Sequence, residues 1–261
     1  GSKFITHNLN PILDVFLDDM NLFGDAEIEF VKLAVEDWTK VELSNLFHAA
    51  KLLSDTDFGD FASVSDEVID DLATYLSGSK FITHNLNPIL DVFLDDMNLF
   101  GDSEIDFVEL EVEDWTKDEL SHLFYAAKLL STADMANIGT LADETINDMA
   151  YHMANSKFIT NNLNPLLDTF LEDMDTGTME LEFGKVDDWS NPVASERELN
   201  AIFKSAKIIS NKGNNTDAFL NLSEEELDIF LSSELISETL VNLVKSLSKS
   251  GNELDFLVGV D

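Results

Sequence analysis

The residues whose types and spacing best suit chemistry lie in an acidic turn. It reads Asp18-Asp19-Met20-Asn21-Leu22-Phe23-Gly24-Asp25-Ala26-Glu27 and recurs from Asp95 to Glu104 with Ser103 in place of Ala26. A shorter version is Asp173-Met174-Asp175-Thr176-Gly177. Asp-x-Asn followed by glycine resembles the opening of an EF-hand loop, which surrounds calcium with oxygen ligands. The carboxylates also close a predicted helix, where a bound cation would offset the negative end of the dipole. Asp19, Asn21, Asp25, Asp96, Asn98, Asp102, Asp173 and Asp175 are therefore the candidate calcium ligands.

The departures from an EF-hand are specific. Phe23 stands at the third acidic ligand, Phe30 stands where the bidentate glutamate belongs, and the third copy shifts its glycine by one. Two readings follow: a calcium site of another geometry, or a solvated acidic turn with a glycine C-cap.

Catalysis has less to stand on. The five histidines are His7, His48, His84, His122 and His152, and no one of them occurs in every copy of the repeat described below. They read as incidental surface or core residues. There is no nucleophile elbow, glycine-rich phosphate loop or HExxH pattern. Cysteine is absent, which excludes disulfides, thiolate zinc sites and thiol nucleophiles. Trp38, Trp115 and Trp189 precede predicted helix starts, and they read as packing residues in preference to ligand platforms. No catalytic residue and no organic cofactor is assigned.

The elements that must position these residues are set by a repeat. Ser2 to Asp25 recurs unchanged at Ser79 to Asp102, an offset of 77 residues. A third copy starts at Ser156 and a fourth at Ser233, each again 77 further on. The predicted units are 2–78, 79–155 and 156–232, with 233–261 a partial fourth. No Pro- or Gly-rich linker marks Ser79 or Ser156, so adjacent units are expected to pack directly.

Within a unit, Ile5, Leu9, Ile12, Leu13, Phe16 and Met20 share one face of a helix. Asn10-Pro11 predicts a kink there, or a restart with Asn10 as N-cap. A strand is expected next. Leu254, Phe256, Val258 and Val260 alternate, and Ile28, Phe30, Val31, Leu33 and Val35 do so with one slip. Its partner would be Phe61–Val64, Ala218–Leu222 or a strand of the adjacent unit. A second helix begins at the capping boxes Thr39 to Glu42, Thr116 to Glu119 and Ser195 to Glu198. A third begins near Ser65, Asp143 and Ser223. The expected fold is mainly α with minor β (α+β), a tandem array of ~77-residue repeats, each about three helices plus one or two short strands.

Composition narrows the function. With 52 Asp plus Glu against 15 Lys plus Arg the formal net charge is −37, while 44% of the residues are hydrophobic. That much apolar material argues against simple disorder. The charge argues against binding nucleic acid through phosphates and against anionic membrane surfaces. No apolar run is long enough to span a bilayer. An acidic surface that mimics DNA towards a basic protein is a lesser alternative.

Near-verbatim tandem copies of a compact acidic module resemble the repetitive regions of long bacterial surface proteins and adhesins. The resemblance is one of architecture and composition, and it transfers no functional residue. It implies a non-enzymatic, extracellular stalk or adhesive array, monomeric and elongated, with a protein or glycan receptor. The alternative is a calcium-binding repeat whose rigidity depends on the ion.

Overall fold

A computed structural model describes residues 7–13, 30–96, 107–133, 135–172, 186, 188–212 and 222–236. The helices, numbered in chain order, are α1 (Lys40–Asp55), α2 (Asp66–Ser77), α3 (Lys80–Thr83), α4 (Leu86–Asp96), α5 (Lys117–Thr132), α6 (Asp143–Asn155), α7 (Lys157–Glu172), α8 (Pro192–Lys212) and α9 (Glu224–Leu231). Short 3-10 turns lie at Val35–Asp37, Phe58–Ser63, Val112–Asp114 and Met135–Thr140.

The starts follow from local chemistry. Thr39 Oγ1 accepts the Glu42 amide at 3.1 Å and Thr116 Oγ1 accepts the Glu119 amide at 3.1 Å, the hydroxyl half of a cap. Ser65 Oγ accepts the Val68 amide at 3.4 Å to open α2. At α9 the box is complete, with Ser223 Oγ accepting the Glu226 amide and the Ser223 amide reaching Glu226 Oε2.

Two expectations about the first helix change. In the second repeat the break comes at 84–85, and Pro88 is the third residue of α4, where a missing N–H leaves no intrahelical bond open. In the third repeat α7 runs on through Pro165. Helical backbone at 9–13 likewise makes Asn10 a helix residue and not an N-cap.

The α+β expectation is overturned: the described residues are helices, turns and extended segments, with no strand among them. Residues 30–34 and 107–111 form neither helix nor strand, with Ala34 and Glu111 in extended backbone, and Phe61–Val64 falls largely in the 3-10 turn Phe58–Ser63. Residues 218–221 and Leu254, Phe256, Val258 and Val260 lie outside the described residues. At Val31, Val108 and Leu110 asparagine side chains, not strands, satisfy the backbone.

The chain divides into two compact units. One is Gly1–Thr132 with Asn155–Asn162, and the other is Ala133–Ala154 with Leu163–Asp261. In the first, α1 and α2 bury Leu46, Ala50, Ile69 and Leu72 against each other, and Phe58 stacks on Phe93 with ring centroids 4.3 Å apart. In the second, α8 lays Leu199, Ile202 and Phe203 into the core beside the Met135–Thr140 turn.

Candidate functional site

The one polar arrangement that recurs at every described repeat boundary is a buried carboxylate at the start of the next repeat. Glu42 Oε1 accepts the Ser79 hydroxyl at 2.6 Å and the Phe81 amide at 3.0 Å, and its Oε2 accepts the Lys80 amide at 2.7 Å. Glu119 repeats this with Ser156 (2.7 Å), Phe158 (3.0 Å) and Lys157 (2.6 Å). Glu198 does so with Ser233 (2.6 Å), Leu235 (3.1 Å) and Glu234 (3.0 Å). Each carboxylate sits where a helix start leaves amide groups without partners and its dipole favours a negative charge.

These glutamates were expected to fold back on their own N-caps as capping boxes. They lie instead across the boundary, which corrects that reading. In the third repeat even the cap differs. Asn191 Oδ1 accepts the Val193 amide at 3.2 Å, Pro192 takes the first helical position, and Ser195 is buried with its hydroxyl donating to the Trp189 carbonyl at 2.8 Å. The third repeat gains five residues between Trp189 and Glu198, within Ser190–Glu196, and they contribute helix while Glu198 keeps its place at the lock.

Apolar and ionic contacts accompany the Glu42 and Glu119 locks. Trp38 lies 5.8 Å from Phe81 and Trp115 lies 5.7 Å from Phe158, centroid to centroid. Burial of both indoles excludes a stacking platform for ligands, and the contact crosses to the next repeat. Lys80 Nζ pairs with Asp37 at 2.7 Å, and Lys157 pairs with Asp114. The hydrogen bond and charge of Asp37 raise the Lys80 ammonium pKa. Glu234 stands at this position in the last start, so the ion pair is not part of that junction.

Asparagines of the NLN motif hold the extended segments. Asn85 accepts the Val31 amide at 2.5 Å and donates to the Val31 carbonyl at 3.3 Å, as a neighbouring strand would. Asn162 does the same for Val108 at 2.7 and 3.3 Å. The second asparagine reaches forward: Asn87 accepts the Leu110 amide at 3.2 Å and donates to its carbonyl at 2.9 Å. Asn10 donates to the Leu33 carbonyl and Asn164 to the Val186 carbonyl. Reasoning from sequence missed both devices. Their signal was a glutamate 37, 37 and 35 residues ahead of Ser79, Ser156 and Ser233, and an Asn-Leu-Asn that begins at the same offset after Ser79 and Ser156.

The candidate calcium ligands fall elsewhere. Asp19, Asn21, Asp25, Asn98, Asp102, Asp173 and Asp175 lie outside the described residues, and Asp96 is described only as the last residue of α4. Among the described residues no group of three or more His, Asp or Glu is placed to hold a metal ion. The histidines do other work. His48 and His84 Nδ1 lie 2.6 and 2.7 Å from the carbonyls one turn back, and burial lowers the His122 pKa. No helix among the described residues is long and apolar enough to cross a membrane.

Chemically, then, the arrangement anchors. Each junction carboxylate holds three donors from the start of the next repeat and so joins adjacent repeats. No protein-family model matches the chain, and neither a curated protein nor a solved structure matches it.

Proposed function

We propose that the chain is a non-enzymatic tandem array from a long bacterial surface protein, serving as a semi-rigid stalk or adhesive array. The observation that carries the reading is the recurrence of one buried lock at Glu42–Ser79, Glu119–Ser156 and Glu198–Ser233. A boundary closed by three hydrogen bonds, without a Gly- or Pro-rich linker, resists hinging where a flexible spacer would bend. The net charge of −37 supports extension and solubility through self-repulsion. The array is then monomeric and elongated, and it presents a protein or glycan receptor site at the cell exterior.

Antibody against the repeat, applied to intact cells that produce the protein, tests the placement. Labelling of intact cells supports it, and labelling only after lysis rejects it.

A calcium-stiffened array is a second reading, favoured by the acidic sequence that closes α4 with no basic residue in its last turn. A native-state ligand raises the thermal midpoint by mass action. An unchanged midpoint between chelator and millimolar calcium ends this reading.

A further inference from the structure

Helix α1 presents a face that its counterparts in the next two repeats bury against the preceding repeat. On α5, the Phe124 ring lies 6.1 Å from Phe61 and Lys128 Nζ lies 2.7 Å from Asp66 Oδ1. Burial, then the Asp70 and Asp66 carboxylates, push the Tyr125 phenol above its ordinary pKa on the same face. On α8, Lys207 Nζ lies 2.6 Å from Asp143 Oδ1, and Asn211 Nδ2 donates to the Gly139 carbonyl at 3.1 Å. A Cβ on Gly139 would meet Asn211 Oδ1 at 2.7 Å, so that approach is close.

The equivalent positions on α1 are Phe47, His48 and Lys51. Phe47 is 46% exposed, whereas Phe124 and Phe203 are 1% and 2% exposed. The Lys51 side chain is 72% exposed, against 23% and 24% for Lys128 and Lys207, and it pairs with Asp55 on its own helix. The sequence of the face is conserved between repeats one and two at Leu46-Phe47 and Ala49-Ala50-Lys51. It differs at His48, which replaces Tyr125 and stacks on Tyr75 with ring centroids 4.7 Å apart, and in the exposure of Phe47 and Lys51.

We propose that the Phe47–Lys51 face is a docking surface for one more repeat unit of this kind, joined ahead of Ser2 in the same polypeptide. Three observations specify that occupant. Related interfaces are already built twice, by Phe58–Ser63 and α2 against α5, and by Met135–Thr140 against α8 with Asp143 of α6 reaching Lys207. The donor helix brings an aspartate in its first turn, Asp66 or Asp143, to the lysine of the acceptor face. Ser2-Lys3-Phe4-Ile5 also repeats Ser79-Lys80-Phe81-Ile82, the sequence that receives the junction glutamate. A separate molecule is disfavoured because two chains of charge −37 repel. The inference does not depend on what the array is for, so it stands or falls apart from the stalk reading.

The test compares the full chain with the same chain carrying an additional copy of residues 79–155 ahead of Ser2. Lysine acylation is read by mass spectrometry, with Lys207 as the internal measure of a covered site. Labelling of Lys51 is expected to fall to the level of Lys207 in the extended chain. It should recover when the added copy carries Ile138→Asp and Asp143→Lys. Undiminished Lys51 labelling in the extended chain, with Lys207 still protected, overturns the proposal. Equal protection by the disrupted copy overturns it too. Protection that rises with the concentration of the unextended chain assigns the face to a separate molecule and also overturns it.

Discussion

The Ser156 hydroxyl donates to Glu119 Oε1 at 2.7 Å and accepts the Ile159 amide at 3.2 Å, so one side chain both joins two repeats and starts a helix. The same double role falls to Ser79 with Glu42 and Ile82, and to Ser233 with Glu198 and Ile236.

Removing the acceptor should cost more than removing one donor. Glu119→Ala leaves a buried hydroxyl and two amides unpaired and is expected to destabilise by about 3 kcal/mol, against about 1 kcal/mol for Ser156→Ala. Urea unfolding with an unchanged slope measures both. A Glu119→Ala loss no larger than that of Ser156→Ala contradicts the lock.

Acid should favour the Glu119 junction. Burial, outweighing its three donors, holds the Glu119 carboxyl above its ordinary value, so the folded chain binds this proton more readily than the unfolded one. The contribution is full below the ordinary carboxylate value and is lost as pH rises through the folded value. The stability of the native chain minus that of Glu119→Gln should therefore fall as pH rises from about 4.3. A difference that grows with pH contradicts this.

Asn162 and Asn87 predict an ordered pair of losses. Asn162 is fully buried and also donates to the Phe158 carbonyl at 2.7 Å, so Asn162→Asp sets a carboxylate against two carbonyls. It should cost about 3 kcal/mol, and Asn87→Asp, half-buried with one carbonyl to face, about 1 kcal/mol. Hydrogen exchange at the Val108 amide should accelerate only in the first. Equal losses would reject the strand-substitute role.

The tryptophans differ in one bond. Trp189 Nε1 donates to Asn164 Oδ1 at 3.1 Å, while the buried Trp115 Nε1 has no acceptor among the described residues. Trp189→Phe should therefore cost about 1 kcal/mol more than Trp115→Phe, although Trp115 is the more buried. The reverse order in thermal melts contradicts the assignment.

Helix starts at Thr39, Ser65, Thr116 and Ser223 were legible because a cap is local: hydroxyl and amide lie three residues apart. The strands were misread because the partners of Val31 and Leu110 are side chains 54 and 23 residues away, and apolar alternation does not distinguish a strand from an extended segment held by asparagines. Thr-x-x-Glu fits a capping box whether the carboxylate turns back or crosses to the next repeat, so spacing alone favoured the local bond. The third-repeat start was readable: Asn191-Pro192 is an N-cap and N1 pair, passed over for Ser195. The acidic turns stay as the sequence left them, because their ligands fall outside the described residues.

Small-angle scattering on this chain and on chains with further repeats tests the central proposal, a semi-rigid array of locked repeats. A globule of 261 residues has a radius of gyration of about 18 Å, growing as roughly the 0.38 power of length. The account predicts a larger radius that rises in proportion to the number of repeats. A radius near the globular value at every repeat number would contradict it.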